Sequence, residues 1–122
     1  MANILFPEES YQIIGLCMEV HRELGMGFRE AVYKDALEFE LAKQGIYYSR
    51  EKRFDIKYKG YTLSHSYIAD FVVYDKIILE VKATSVTTTE FIAQTINYLK
   101  ASGLQLGILA NFCQRSFVSQ KE

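Results

Sequence analysis

Apolar residues at Ile13, Leu16, Cys17, Val20 and Leu24 recur three or four positions apart and define one face of a helix. Pro7 followed by Glu8 and Glu9 suits its start: proline needs no amide partner in a first turn, and the acids meet the positive end of the helix dipole. Gly25 and Gly27 break the pattern. A second helix is predicted from about Arg29 to Gln44, with Tyr33, Ala36, Leu37 and Leu41 on its apolar stripe and Gly45 as its stop. From Ile46 the period falls to two. Phe54, Ile56 and Tyr58 alternate with Asp55, Lys57 and Lys59, describing a half-exposed strand. Lys59-Gly60 predicts a hairpin turn into a second strand ending near Tyr74, and a turn at Asp75-Lys76 leads into a third, Ile77 to Ala83. Short turns between the three predict an antiparallel meander.

Thr87 to Ala101 returns to helical spacing, with Ile92, Thr95, Ile96 and Leu99 facing inward. One of Thr87, Thr88 or Thr89 could cap it, and Glu90 favours its start. Ser102-Gly103 ends it. Leu104 to Phe112 is almost continuously apolar, as expected of a strand covered on both faces. The tail from Gln114 to Glu122 is polar and expected to fray. The order is therefore α-α-β-β-β-α-β, an α/β fold without repeats or linkers.

A length of 122 residues, 49% apolar and 24% charged, fits one globular domain, expected to run over residues 1–122. Cys17 and Cys113 stand far apart and outside any CxxC pair, so neither a disulfide framework nor a zinc knuckle is expected. The N-terminus lacks the basic-then-apolar pattern of a signal peptide, and no run could span a bilayer; the default expectation is a cytoplasmic protein with no membrane partner. A net charge of −1 argues against strong nonspecific DNA affinity, which depends on many cations replacing condensed counterions. The basic stretch Arg50, Lys52, Arg53, Lys57 and Lys59 departs from that balance, but a solvated strand face explains it better than a phosphate track.

The run Ile77-Ile78-Leu79-Glu80-Val81-Lys82-Ala83 carries the chemistry. Its apolar content predicts burial on both faces, yet Glu80 and Lys82 share a face with Ile78. Burying such groups costs several kcal/mol each unless they are paired or bound to something. Asp70, just before Phe71-Val72-Val73-Tyr74, is a second acid where apolar residues are expected. A two-residue turn at Asp75-Lys76 would pair Asp70 with Val81 and set the acids on opposite faces. A three-residue loop or a bulge, the expectation here, would pair Asp70 with Lys82 and gather all three groups on one face. Two converging carboxylates repel, and an oxygen-only set selects Mg²⁺ or Mn²⁺ over zinc. Lys82 beside them could orient a water or stabilise developing charge, which suits metal-assisted phosphodiester hydrolysis. The competing explanation is a Glu-Lys pair snorkelling at a strand end.

Asp70 followed after nine residues by Glu80-Val81-Lys82 resembles the PD-(D/E)xK nuclease superfamily. Gly27-Phe28-Arg29-Glu30-Ala31-Val32-Tyr33 resembles the signature of its small GxxExxY family. Val20 to Gly25, Gln94-Thr95-Ile96-Asn97-Tyr98-Leu99 and Asn111-Phe112 resemble that family's further elements. The resemblance runs from about residue 10 to 112. It implies a restriction-endonuclease-like core, a mixed sheet flanked by helices with the site at the sheet's edge. It carries over Asp70 and Glu80 as metal ligands, Lys82 as catalytic lysine and Glu30 as a helix acid reaching the metal. Gln94 and Tyr98 match a QxxxY element that supports the site or contacts nucleic acid, a role the resemblance extends to Tyr33. Met26 stands where the family often has proline, and the tail lacks its usual basic ending.

Helical spacing puts Glu30 on the stripe of Tyr33 and Leu37, pointing inward; the alternative is an acid that only favours the helix dipole. Gln94 and Tyr98 share a face and could equally be a polar pair at the helix margin. His21 reads as a structural histidine, His65 has no evident partner, and Tyr11, Tyr47, Tyr48 and Tyr61 read as packing rather than base-stacking residues. The expected function is a Mg²⁺- or Mn²⁺-dependent nuclease acting on nucleic acid, DNA foremost, with a homodimer or partner protein supplying affinity. A catalytically silent module binding nucleic acid or a protein, and a purely structural domain, are the alternatives.

Overall fold

Pro7 opens the first helix, α1 (Pro7–Leu24), and Ile13, Cys17 and Val20 form its buried stripe. The computed structural model describes residues 5–85, 89–113 and 118–121. Helix α2 (Glu30–Lys43) buries Tyr33, Leu37 and Leu41. It ends at Gly45, whose φ of +68° costs a glycine little. There the Gly45 amide donates to the Ala42 carbonyl and the Ile46 amide to the Leu41 carbonyl, satisfying carbonyls that the helix end leaves unpaired. The link between the helices is tied by Tyr33. Its hydroxyl donates to the Gly25 carbonyl at 2.6 Å and accepts from the Phe28 amide at 3.2 Å, while its ring stacks on Phe112.

Among the described residues the sheet has five strands in sequential order: β1 (Tyr48–Tyr58), β2 (Tyr61–Val73), β3 (Ile77–Lys82), β4 (Leu106–Asn111) and β5 (Val118–Lys121). Strands β3 and β4 run parallel and the neighbours β1–β2, β2–β3 and β4–β5 antiparallel, so the sheet is mixed. Lys59 and Gly60, both at positive φ, make the β1–β2 turn between the paired Tyr58 and Tyr61. Helix α3 (Thr89–Ser102) supplies the crossover from β3 to β4. Thr89 opens it; Thr87 and Thr88 lie outside the described residues. Thr95 is buried, but Ile96, expected inward, is 40% exposed. Gly107 explains how closely α3 approaches the sheet, since a Cβ there would stand 2.6 Å from Thr95 Cγ2.

The expected order gains one element, because the polar tail contains β5, antiparallel to β4. Edge pairing needs main-chain hydrogen bonds rather than an apolar rhythm, and it covers the flank of a wholly buried strand.

Two cores flank the sheet. Phe71, Val73, Ile77, Leu79 and Val81 pack with α1 and α2, whereas Tyr67, Ala69, Val72 and Ile78 pack with Tyr98 and Leu99 of α3. Along β2, Phe71 and Val73 thus face one way, while Tyr67 and Ala69, four and two residues before Phe71, face the other. Along β1, Tyr48 belongs with α1 and α2 but Phe54 and Ile56 with α3. Strict alternation would keep each set together, so the hairpin turns over between them. The inversion falls at Glu51, whose φ is +56°, and at Asp70, the two residues left unpaired between Arg50↔Phe71 and Lys52↔Ala69.

Candidate active site

The connection between β2 and β3 is three residues long, Tyr74 to Lys76, with Val73 paired to Ile77. That length brings Asp70 and Glu80 together as expected, but the register differs by two residues. Pairing ends at Phe71↔Leu79, and continuing it sets Asp70 opposite Glu80 rather than Lys82. The turn sits at Tyr74 and Asp75, both at positive φ, one residue earlier than the sequence suggested. Beyond Phe71 the two strands part. The Asp70 carboxylate fills the gap, its Oδ2 accepting the Val81 amide at 2.8 Å in place of a main-chain partner. Its Oδ1 accepts from the Lys34 ammonium at 3.0 Å, and Lys34 reaches Glu51 Oε1 at 3.1 Å. One α2 lysine therefore pins both residues of the hairpin inversion.

Glu80 is 5% exposed. Its Oε1 accepts from the Tyr67 hydroxyl at 2.9 Å, and the Tyr67 ring lies parallel to that of Tyr98 with centroids 3.4 Å apart. Burial, then the charge and hydrogen bond of Asp70, push the Glu80 carboxyl up to about 8, against the smaller opposing pulls of Tyr67 and Lys82. The acid thus holds its proton at neutral pH, because two neighbouring carboxylates poorly reached by water do not both ionise. Burial and the adjacent acids also raise the Tyr67 and Tyr98 phenols, keeping both as donors. For Lys34, burial alone favours the neutral amine, but Asp70 and Glu51 more than offset it and the net shift is upward. Lys82 is half-buried, its ammonium 4.9 Å from the centre of the Phe91 ring. The Phe112 amide donates to the Lys82 carbonyl and holds this strand end against the chain leaving β4.

Glu30 requires a correction: it is exposed, not inward. It is the first residue of α2, and a side chain there leans back past the helix end into solvent. Among the described residues no three His, Cys, Asp or Glu side chains converge as a metal site. Gln94 is also exposed; of the Gln94–Tyr98 pair only Tyr98 is brought to the carboxylates. Tyr33 is fully buried and braces the link between α1 and α2, so it offers no surface to nucleic acid. Arg50 is committed to Asp35 and Glu38 of α2, while Lys52, Arg53, Lys57 and Lys59 are exposed on β1 and its turn. His21 is buried against Phe112 and His65 is exposed beside Ser64. Sequence reasoning missed Lys34 and Tyr67. Tyr67 reaches the α3 side of the sheet only because of the inversion, which strict alternation hides, and Lys34 meets Asp70 across 36 positions, which no local pattern reveals.

A carboxyl pushed up by burial and by a second carboxylate beside it belongs to an oxygen-only donor pair suited to a hard divalent cation. The chain belongs to the PD-(D/E)XK nuclease superfamily, which it matches over residues 7–121. Nucleases of this superfamily generally use divalent metal ions. The chain is also similar to a solved structure titled "Crystal structure of SSO0001", with a TM-score of 0.59 and 18% identity, over 75% of this chain and 48% of that one. At that identity the likeness is one of fold, and the chain spans about half the length of that protein. No curated protein matches. Among the described residues no helix is long and apolar enough to cross a membrane.

Proposed function

We propose that the protein is a metal-dependent phosphodiester hydrolase of the GxxExxY branch, acting on nucleic acid and foremost on DNA. The observation that carries this reading is the convergence of Asp70 and Glu80 where β2 and β3 part, with Glu80 buried and its carboxyl pushed up to about 8. In this reading both acids hold Mg²⁺ or Mn²⁺, Tyr67 steers the Glu80 carboxylate, and the Val81 amide fixes that of Asp70. Glu30 is left out of the ligand set. A divalent ion held there supplies positive charge to the scissile phosphate and makes a nearby water more acidic. Lys82 follows Glu80 by two on the same strand face, where its ammonium can orient the attacking water. Tyr98 supports the site through Tyr67, and Gln94, exposed one turn earlier on α3, is placed to meet substrate.

With a net charge of −1 the chain releases few counterions on its own, so a second copy or a partner protein completes the nucleic-acid affinity. One domain in the cytoplasm completes the proposal. The test has two arms. Mn²⁺ binding in the millimolar range that Asp70→Asn abolishes is expected, and its absence removes the metal site. Cleavage of single-stranded, duplex or branched DNA, or of RNA, is expected to depend on Lys82; cleavage that survives Lys82→Ala belongs to a contaminant. The second reading, a silent nuclease-fold module that binds nucleic acid or a protein, is favoured by the exposure of Glu30, which sets it apart from the Asp70–Glu80 pair. Metal binding and nucleic-acid binding without cleavage of any of these substrates would establish it.

A further inference from the structure

Lys34 holds Asp70 in a way that a purely structural ion pair does not require. Its side chain is 13% exposed, and its ammonium bridges Asp70 Oδ1 at 3.0 Å and Glu51 Oε1 at 3.1 Å. The other Asp70 oxygen is occupied by the Val81 amide, so the carboxylate already has a donor on each side. Glu51 is far more exposed than Asp70, 58% against 20%, and lies on the opposite strand of the inversion. Arg50 does not compete for it, being engaged by Asp35 and Glu38. The ammonium therefore has two carboxylates, one at the site's heart and one at its margin, on a flexible four-carbon stem that can favour either.

We propose that Lys34 is a built-in competitor for the metal: it neutralises Asp70 while the divalent ion is absent and withdraws to Glu51 when the ion binds. This rests on the reading of Asp70 and Glu80 as metal ligands. The physical reason is Coulombic. A unit positive charge 3.0 Å from a ligand oxygen repels an arriving divalent cation and supplies part of the charge that the ion would otherwise bring. The site is thereby set for weak, readily exchanged metal, and α2 carries the information of occupancy to the hairpin through one side chain. Glu51 determines how easily the ammonium leaves.

The test is Mn²⁺ titration by calorimetry on the full chain, with thermal melts of each variant with and without the ion. Lys34→Met is expected to bind Mn²⁺ more tightly by roughly tenfold. It is also expected to melt below the wild type without metal and to recover on saturation with it. Glu51→Gln, a change at an exposed position, is expected to weaken Mn²⁺ binding severalfold, because the ammonium then has only Asp70. A folded Lys34→Met variant that binds equally or less tightly overturns the competition, as does a Glu51→Gln variant with unchanged or tighter affinity; the latter decides the matter if Lys34→Met does not fold. Absence of Mn²⁺ binding by the wild type itself overturns the metal-site reading and the competition together, a pattern distinct from wild-type binding that these variants do not change.

Discussion

Glu80→Gln is expected to flatten the pH dependence of stability in the metal-free protein. In the folded chain the carboxyl is pushed up to about 8 by burial first and Asp70 second, from an ordinary value of 4.5. Between those values the native state carries a proton that the unfolded chain has lost. Stability is therefore greatest below the unfolded value and falls as pH rises through the folded one, by at most roughly 1.4 kcal/mol per pH unit. Between pH 5 and pH 8 this withdraws up to about 4 kcal/mol, a large share of the net stability of a small domain. Glutamine mimics the protonated acid: its carbonyl can accept from Tyr67 and its amide can donate to Asp70. Urea unfolding in EDTA at pH 5.5, 7 and 8.5 is the assay. The wild type should weaken across the series, and the variant should hold nearly level and overtake it at pH 8.5. Saturating Mn²⁺ should shrink the wild-type decline, since the ion binds the ionised acid, and calorimetry at pH 7 should register proton release on binding. A wild-type stability that rises over this range, or a decline that Glu80→Gln leaves in place, would refute the argument.

Tyr67→Phe removes the hydroxyl that favours ionised Glu80 and is expected to weaken Mn²⁺ binding by roughly threefold to tenfold while leaving the fold intact, as calorimetry and circular dichroism would show. Gly107→Ala drives a methyl group toward Thr95 and is expected to cost about 1–3 kcal/mol in denaturant unfolding. Tyr33→Phe strands the Gly25 carbonyl and the Phe28 amide; a loss of about 1–2 kcal/mol with unchanged Mn²⁺ affinity is expected, and a fall in affinity would tie that link to the site after all.

Both N-terminal helices, the Lys59-Gly60 turn and the buried β4 were legible because each is written in local spacing. Helical and alternating periods report burial directly, and glycine marks left-handed backbone. Asp70 and Glu80 were legible for a different reason: charge amid apolar runs needs an explanation. What escaped was non-local. The inversion at Glu51 and Asp70 relies on a glutamate at positive φ, an arrangement that local preference opposes and tertiary contacts with Lys34 sustain. The β2–β3 register was displaced because Tyr74 and Asp75 adopt left-handed geometry without a glycine to announce it. Glu30 was misjudged because a stripe drawn through a helix assumes a turn on either side, and the first residue has none before it. Strand β5 had no apolar rhythm to reveal it.

The place where the hairpin turns inside out is also the place where its acid is presented. A straight ribbon through residues 51 and 70 would restore ordinary alternation and relieve the left-handed glutamate, but it would re-aim the carboxylate. Selection for heat resistance alone would be drawn toward that repair, trading away whatever chemistry the distortion serves. Variants recovered from such a selection should therefore cluster around Glu51 and Asp70 and grow sturdier as they fall silent.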